Sequence, residues 1–428
     1  MKLLQPLRER DFALLWTGMT VSLLGDGIFI VAEAWQVYDI HNDPVALSVV
    51  GLAWTGGMTA FLLTGGIVSD RVERRRVLIA ADVGRALVVA LTGVLSLAGV
   101  LEIWHLVVLA VLYGAGEAFF GPAFGALIPD IVPTQQLVEA NSLDQLVRQA
   151  GEKMLGPAIG GFVVAAIGVG SAFLVDAATF GISAACIWAL RVRSLPAPTT
   201  EDPERGALRE GLAFVRSQPW LWATLIAASL SMLLFLGPLE VLLPYVIRND
   251  LDAGAGGYGA VLAAGGAGAI LMSLIVSQRG PPRRYLTFAY GMWTFSTVAF
   301  IGWAFGTALW QFMAFSVIFG ALETAGMVVW GTLMSSRVPQ DLRGRVHSLD
   351  WFVSIGLTPL SFALTGPVSK GIGVDTTLVL AGVLPMVVCV VLYFAANLRR
   401  DEELHPLLGD YAGAGSSSGA GSETPAIW

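Results

Sequence analysis

The chain has 428 residues, of which 55% are hydrophobic and only 13% charged; its mean hydropathy is +0.70 and its formal net charge −7. Soluble domains carry roughly 25% charged residues, so an ordinary water-soluble globular protein is excluded, and this much apolar surface calls for a bilayer. The net charge says little about partners, because in such a chain the place of each charge matters more than the sum; no nucleic-acid partner is expected.

Apolar runs of about 20 residues, the length a helix needs to cross hydrocarbon, recur near 12–37, 46–68, 77–99, 103–127, 142–167, 170–190, 221–247, 256–277, 285–306, 308–333, 346–370 and 375–397. The ten-residue alternation of a membrane β-barrel is absent. The pattern predicts an all-α membrane protein with twelve transmembrane helices. The first run contains Asp26 and Glu33, is too long for a cleaved signal and lacks a convincing cleavage site, so it is read as a retained span. Cys186 and Cys389 lie inside apolar runs and imply no disulfide.

Positive charge orients the spans. Of the 25 Lys and Arg, 20 fall on the N-terminus, the loops that follow even-numbered spans and the C-terminus; Arg248 and Lys370 fall on the other side, and Arg85, Arg148 and Lys153 within spans. Both termini are therefore expected in the cytoplasm. The longest connection, 191–219, begins as a flexible linker over Ser194–Pro203. It continues with Leu208, Leu212 and Val215 on one helical face among Arg205, Arg209 and Arg216, which suits a helix lying on anionic headgroups. The Gly/Ser/Ala-rich stretch 413–422 reads as a disordered tail.

The halves of the chain repeat one another. At offset 206, Gly114, Ala115, Glu117, Gly125, Val132-Pro133, Ser142-Leu143-Asp144 and Gly160 meet Gly320, Ala321, Glu323, Gly331, Val338-Pro339, Ser348-Leu349-Asp350 and Gly366. At offset 207, Glu33, Tyr38 and Asn42-Asp43 meet Glu240, Tyr245 and Asn249-Asp250. Six spans separate each pair, so the repeats share one topology. A parallel 6+6 repeat is a transporter layout with substrate near the midplane between the bundles. The expected divisions are an N-terminal bundle 1–193, a linker with interfacial helix 194–219, a C-terminal bundle 220–398 and a tail 399–428.

The loop after span 2, Gly66-Ile67-Val68-Ser69-Asp70-Arg71-Val72-Glu73-Arg74-Arg75, resembles the G-x-x-x-D-R-x-G-R-R motif of the major facilitator superfamily, with Glu73 in place of its glycine. The resemblance extends over nearly the whole chain. It implies that Gly66, Asp70, Arg71, Arg74 and Arg75 form a cytoplasmic gate; a plain positive-inside loop also accounts for the arginines. Gly151 followed by Gly156-Pro157-Ala158-Ile159-Gly160-Gly161 is similar to the exporter-associated G-P-x-x-G-G core, with Glu152 where the family pattern has glycine. Ordinary small-residue packing explains the same glycines. Phe12–Trp16, Ser22–Asp26, Ala126–Pro133 and Ala140–Leu143 resemble the enterobactin-exporter-like and macrolide-efflux-like branch. That branch implies proton-coupled export of small amphiphiles such as drugs, antibiotics or siderophores, expected here by rocker-switch alternating access in the plasma membrane; a monomer suffices for this architecture.

Charges within spans cost ~3 kcal/mol or more each and default to function. In the family fold spans 1, 4, 7 and 10 line the central cavity, and this chain places Glu33, Glu117, Glu240 and Glu323 there, with Asp26 also in span 1. A carboxylate in such a cavity binds either a proton or a cationic substrate, and that competition couples their fluxes; Glu33 and Glu240 could equally reach interfacial water. Two readings of Arg148 are open: a ladder with Asp144 and Glu152 at i, i+4 and i+8, or a pair with Glu117. Asp82 and Arg85 read as a structural pair, and Asp144, Asp176 and Asp350 as caps or gate contacts. With Arg148 as the one basic counterpart, the acids favour cationic or neutral lipophilic substrates, which Trp35, Phe119, Phe120, Trp293 and Trp330 would contact.

No Gly-Lys-Ser or Gly-Lys-Thr is present for an ATP-driven pump. His41, His105, His347 and His405 are scattered, so no metal or catalytic set is read, and neither an enzyme nor a cofactor is expected. Import, or lipid and lysolipid movement, stands as the alternative within the same fold; a receptor is disfavoured by the 6+6 repeat.

Overall fold

The computed structural model describes residues 2–192, 204–279 and 282–406. The linker expected at 194–203 and the tail expected at 413–422 lie outside the described residues, as does the side chain of Asp70.

The described residues are helical almost throughout. The spans are α1 (Arg10–Ile40), α2 (Pro44–Arg71), α3 (Arg74–Leu97), α4 (Ile103–Ile131), α5 (Leu137–Val147, a π-helical turn Arg148–Leu155, then Gly156–Ile167) and α6 (Val169–Trp188). The second six are α7 (Pro219–Asn249), α8 (Ala255–Arg279), α9 (Tyr285–Ser296 and Val298–Phe305), α10 (Leu309–Arg337), α11 (Gln340–Gly356 and Thr358–Ile372) and α12 (Val374–Ala395). Among the described residues, eleven helices are long and apolar enough to cross a bilayer. The twelfth span is α9, divided at Thr297, where the backbone tightens to an i→i+3 bond (Phe300 N–H to Thr297 O, 3.1 Å) and the threonine hydroxyl turns to Gly382 O of α12 at 2.9 Å.

Local chemistry sets the ends. The Asp43 carboxylate accepts from Val45 N–H at 2.9 Å and Pro44 opens α2, an N-cap followed by a residue with no N–H to satisfy. Gly168 and Gly373 join α5 to α6 and α11 to α12 at φ +85° and +89°, a region that favours glycine. A short helix after α12, Leu398–Leu404, brings buried Glu402 to the start of α9, where it accepts from Leu286 N–H and Thr287 N–H, both at 3.0 Å. Arg337 at the end of α10 pairs with Asp401 of the same helix at 2.5 Å.

The repeat is legible in the packing. Gly114 of α4 presses on Trp54 O of α2, and Gly320 of α10 presses on Gly265 O of α8, so matched glycines let matched helices approach closely. The connecting helix, Glu204–Ser217, packs on α7 and α11 through Gly211 and buried Val215, while Leu212 stays exposed and Glu210 pairs with Arg345 at 2.5 Å. It therefore docks against the second bundle, with Val215 of the expected apolar face turned into that contact rather than outward.

The two ends of the molecule differ. At the end remote from the termini, buried apolar side chains of both halves merge into one cluster, from Val31 and Tyr38 to Val241, Tyr258 and Phe362. At the end that carries the termini there are two separate clusters, one in each half. Two seams close the remote end. Gly259 of α8 lies against Pro157 O and Gly161 of α5, while Gly51 and Gly366 bring α2 and α11 together. At the other end a Cβ added to Gly66, Gly121, Gly125 or Gly331 would meet nothing within 4 Å.

Candidate functional site

Three groups of charge lie at span depth. The first is inside the N-terminal bundle and is centred on Arg85. Its guanidinium pairs with Asp82 at 2.7 Å and lies over Phe120 (4.7 Å to the centroid) and Phe180 (4.4 Å). Arg85 and Asp82 are 5% and 0% exposed, so their mutual attraction acts with little solvent screening. Gly116 makes room for the arginine stem: a Cβ there would sit 2.8 Å from Arg85 Cγ. Asp26, Glu117 and Asp176 all interact electrostatically with Arg85. Tyr113 donates to Asp26 Oδ1 at 2.9 Å and Trp54 donates to Glu117 Oε2 at 2.9 Å. Asp176 is fully buried in mid-helix against Gly25, next to Asp26, and its Oδ2 has no hydrogen-bond partner. It is thus a member of this cluster rather than an end cap. Asp82 and Arg85 do form the expected pair, but one set beside the candidate acids.

The second group lies between the halves. Glu33 of α1 and Glu240 of α7 feel one another, and Tyr258 of α8 feels both. Glu240 sits on a second π-helical turn, Pro238–Leu242, and it faces Glu152 and Lys153 of the π-helical turn in α5. Lys153 Nζ pairs with Glu152 at 2.9 Å. Arg148 pairs with Asp144 at 3.2 Å and lies 5.9 Å from the Phe124 centroid. Of the two readings of Arg148 the first link of the ladder is formed, and the bases facing Glu117 are Arg85 and Lys153.

The third group, in the C-terminal bundle, is sparse. Glu323 accepts from Ser296 Oγ at 3.3 Å, and Trp293 packs over Gly326. Of the expected aromatic contacts, Trp35 lies under Arg248 at 5.5 Å, Trp330 donates to Asp350 at 3.2 Å and Phe119 packs near Phe61.

Two ends frame these groups. At the remote end Tyr38 Oη donates to Val241 O at 2.6 Å, and the Asn42 and Asn249 amides exchange hydrogen bonds at 2.6 and 3.2 Å. Arg248 pairs with Asp39 at 2.7 Å and Lys370 with Asp43 at 3.6 Å. Asn42 and Asn249 are repeat counterparts, so this seal lies on the axis relating the halves. At the termini end Arg74 and Arg75 of the gate motif reach partners within their own bundle. Arg74 reaches Asp130 at 2.7 Å and Ala126 O at 3.0 Å on α4, and Arg75 caps the carbonyls of Ile187 and Trp188 on α6. Glu73 pairs with Arg76 at 2.9 Å.

The sequence alone assigns Lys153 and Arg85 no functional role. A signal existed for the first. Pro157 and Pro244 have no N–H to give the carbonyl four residues back, and those carbonyls belong to Lys153 and Glu240. A charged residue one turn before a proline in a span marks a disturbed helix, and π-helical turns gather at functional sites.

Twelve spans in two repeated bundles, closed at one end and parted at the other around buried acids, define a polytopic membrane transporter. The profile of the family described as transmembrane secretion effector matches residues 2–408, and the chain belongs to that family of the major facilitator superfamily. It is 32% identical to the multidrug efflux pump Tap of Mycolicibacterium fortuitum, over 88% of this chain and 93% of that one. It is 21% identical to macrolide efflux protein A of Streptococcus pyogenes, over 91% and 96%. Among solved structures it resembles an inward-facing, unoccupied bacterial homologue of the human lysosomal transporter Spinster (TM-score 0.66, 15% identity, 93% of this chain and 98% of that one), which speaks to the fold alone.

Proposed function

We propose that the protein is a proton-coupled exporter of small amphiphilic molecules, cationic or neutral, acting by alternating access in a bacterial plasma membrane. The observation that carries this reading is the contrast between one apolar core shared by both halves at the remote end and two separate cores at the termini end. With the termini cytoplasmic, the orientation that the Lys and Arg distribution favours, that contrast describes a conformation open to the cytoplasm and sealed outside, ready to load a cellular substrate. The efflux relatives support export over import.

Asp26, Glu117 and Glu323 are the coupling acids of this proposal, with Glu33 and Glu240 below the outer seal and Arg148 tying down the start of α5. A carboxylate removed from water favours its neutral form unless a cation is near, so each acid holds either a proton or a positively charged cargo. Gly66, Asp70, Arg71, Arg74 and Arg75 form the inner gate. Gly151, Gly156, Pro157, Gly160 and Gly161 let α5 pass close to α1 and α8. The bundles 1–193 and 220–398 rock as units about the segment 194–219; the start of the expected tail 399–428 does not trail free, because Leu398–Leu404 is a helix docked on the second bundle.

The test is reconstitution in liposomes with an imposed inward proton gradient and a panel of lipophilic cations, macrolides and siderophores. Protein-dependent counterflow that vanishes when the gradient is dissipated is the expected result. Flux of lysolipid but of none of these compounds would overturn the substrate assignment.

A further inference from the structure

Lys153 occupies an unusual place. It lies on the π-helical turn of α5, in the middle of a span, yet its side chain is 57% exposed while its partner Glu152 is 24% exposed. Its backbone carbonyl and the Met154 side chain press on Gly266 of α8, so residue 153 stands at the seam between the halves. The charges that surround it come from three helices: Glu152 on its own turn, Glu240 from the π-helical turn of α7 in the opposite bundle, and Glu117 from α4. The flexible ammonium pairs with Glu152 at 2.9 Å, within the electrostatic reach of acids from both bundles, and that partner stands where the exporter-like motif departs from its family pattern. The turn has a local cause: Pro157 supplies no N–H to Lys153 O. The small residues around it, Gly156 against Gly27 and Gly151 against Leu23, keep α5 close to α1 while the turn bulges toward the other half.

Fixed counter-ions in a binding space compete with cationic ligands for the same carboxylates. A lysine is suited to that role, being a point charge on a flexible four-carbon stem. We propose that Lys153 is a tethered counter-ion: its ammonium occupies the cation position between Glu152, Glu117 and Glu240 in the empty transporter, yields it to a cationic substrate, and retakes it to expel the substrate. Lys153 thereby determines specificity, setting how tightly the site holds positive charge. This inference rests on the export reading above and adds a residue and a release step to it.

The experiment uses the purified full chain and two probes of like shape and opposite charge, tetraphenylphosphonium and tetraphenylborate. A site that is free only a tenth of the time binds about tenfold more weakly than its intrinsic affinity. Lys153→Gln is therefore expected to bind tetraphenylphosphonium about tenfold tighter than wild type and to turn it over more slowly in vesicles, lowering KM and maximal rate together. Lys153→Arg should stay near wild type, and Lys153→Met serves where the glutamine variant does not fold. Unchanged or weaker tetraphenylphosphonium binding with export intact would overturn this inference alone. So would tetraphenylborate binding that Lys153→Gln abolishes, because the lysine would then be an anion ligand. The expected affinity change in a protein that moves no cation under any gradient would contradict the export reading and leave the Lys153 assignment standing. Absence of tetraphenylphosphonium binding in every variant would contradict both.

Discussion

The two bundles share a scaffold but not a chemistry. Matched glycines, Gly114 and Gly320, bring matched helices together; Gly168 and Gly373 make matched turns; Asn42 and Asn249 clasp each other on the axis between the halves. The charge cluster is different. Carried across at offset 206, Asp82, Arg85 and Asp176 fall on Phe288, Gly291 and Gly382, and at offset 207 Asp26 falls on Leu233. The C-terminal bundle keeps only Glu117's counterpart, Glu323, with a serine for company. Symmetry thus suits the proposed rocking movement, which needs like surfaces on both sides. Ionic chemistry is concentrated in one bundle, where a buried arginine can organise several acids.

The comparison is most severely tested at Arg85. Removing one partner of a buried pair leaves an uncompensated charge, so Arg85→Gln is expected to destabilise the N-terminal bundle by about 3–5 kcal/mol. Ser296→Ala beside Glu323 is expected to cost only about 1 kcal/mol. Thermal unfolding of both variants in detergent would show it, and equal costs would remove the asymmetry. A smaller effect is expected at the seam. Gly259→Leu drives a side chain into Pro157 O and Gly161, an overpacking cost of about 1–3 kcal/mol borne by the closed outer end alone. Outward opening, read by labelling a cysteine introduced at Ala255, should rise severalfold, whereas Gly331→Leu, with open space before it, should leave labelling unchanged. Smallest is Arg248→Ala. The Arg248–Asp39 pair is 26% and 45% exposed and so contributes under about 1 kcal/mol; labelling should rise by less than fivefold.

Much of this was legible in the sequence. Span positions follow from apolar length, and the repeat follows from paired acids and Val-Pro steps that chance does not place together. The break in α9 was not, because Thr297 interrupts the helix through a contact with Gly382 of α12, which no local pattern records. Partnerships among charges were hidden for the same reason. Arg148 and Arg85 are both span arginines with acids at helical spacing, Asp144 at i−4 and Asp82 at i−3, yet the sequence leaves a functional reading open for Arg148 and reads Arg85 as half of a structural pair. Only the packing of α3 against α4 and α6 puts Arg85 beside Asp26, Glu117 and Asp176, between two phenylalanine rings. Lys153 was in view within its motif, but its direction depends on a π-helical turn that shifts the face of α5.

The central claim, that buried acids of the two bundles couple proton to substrate, is tested most directly by Glu117→Gln and Glu323→Gln in liposomes, each compared with wild type for gradient-driven flux and for substrate exchange without a gradient. The account expects folded variants whose uphill flux falls to the leak while exchange persists, since a glutamine can neither release a proton nor take one up. Uphill flux at the wild-type rate in both variants would contradict it.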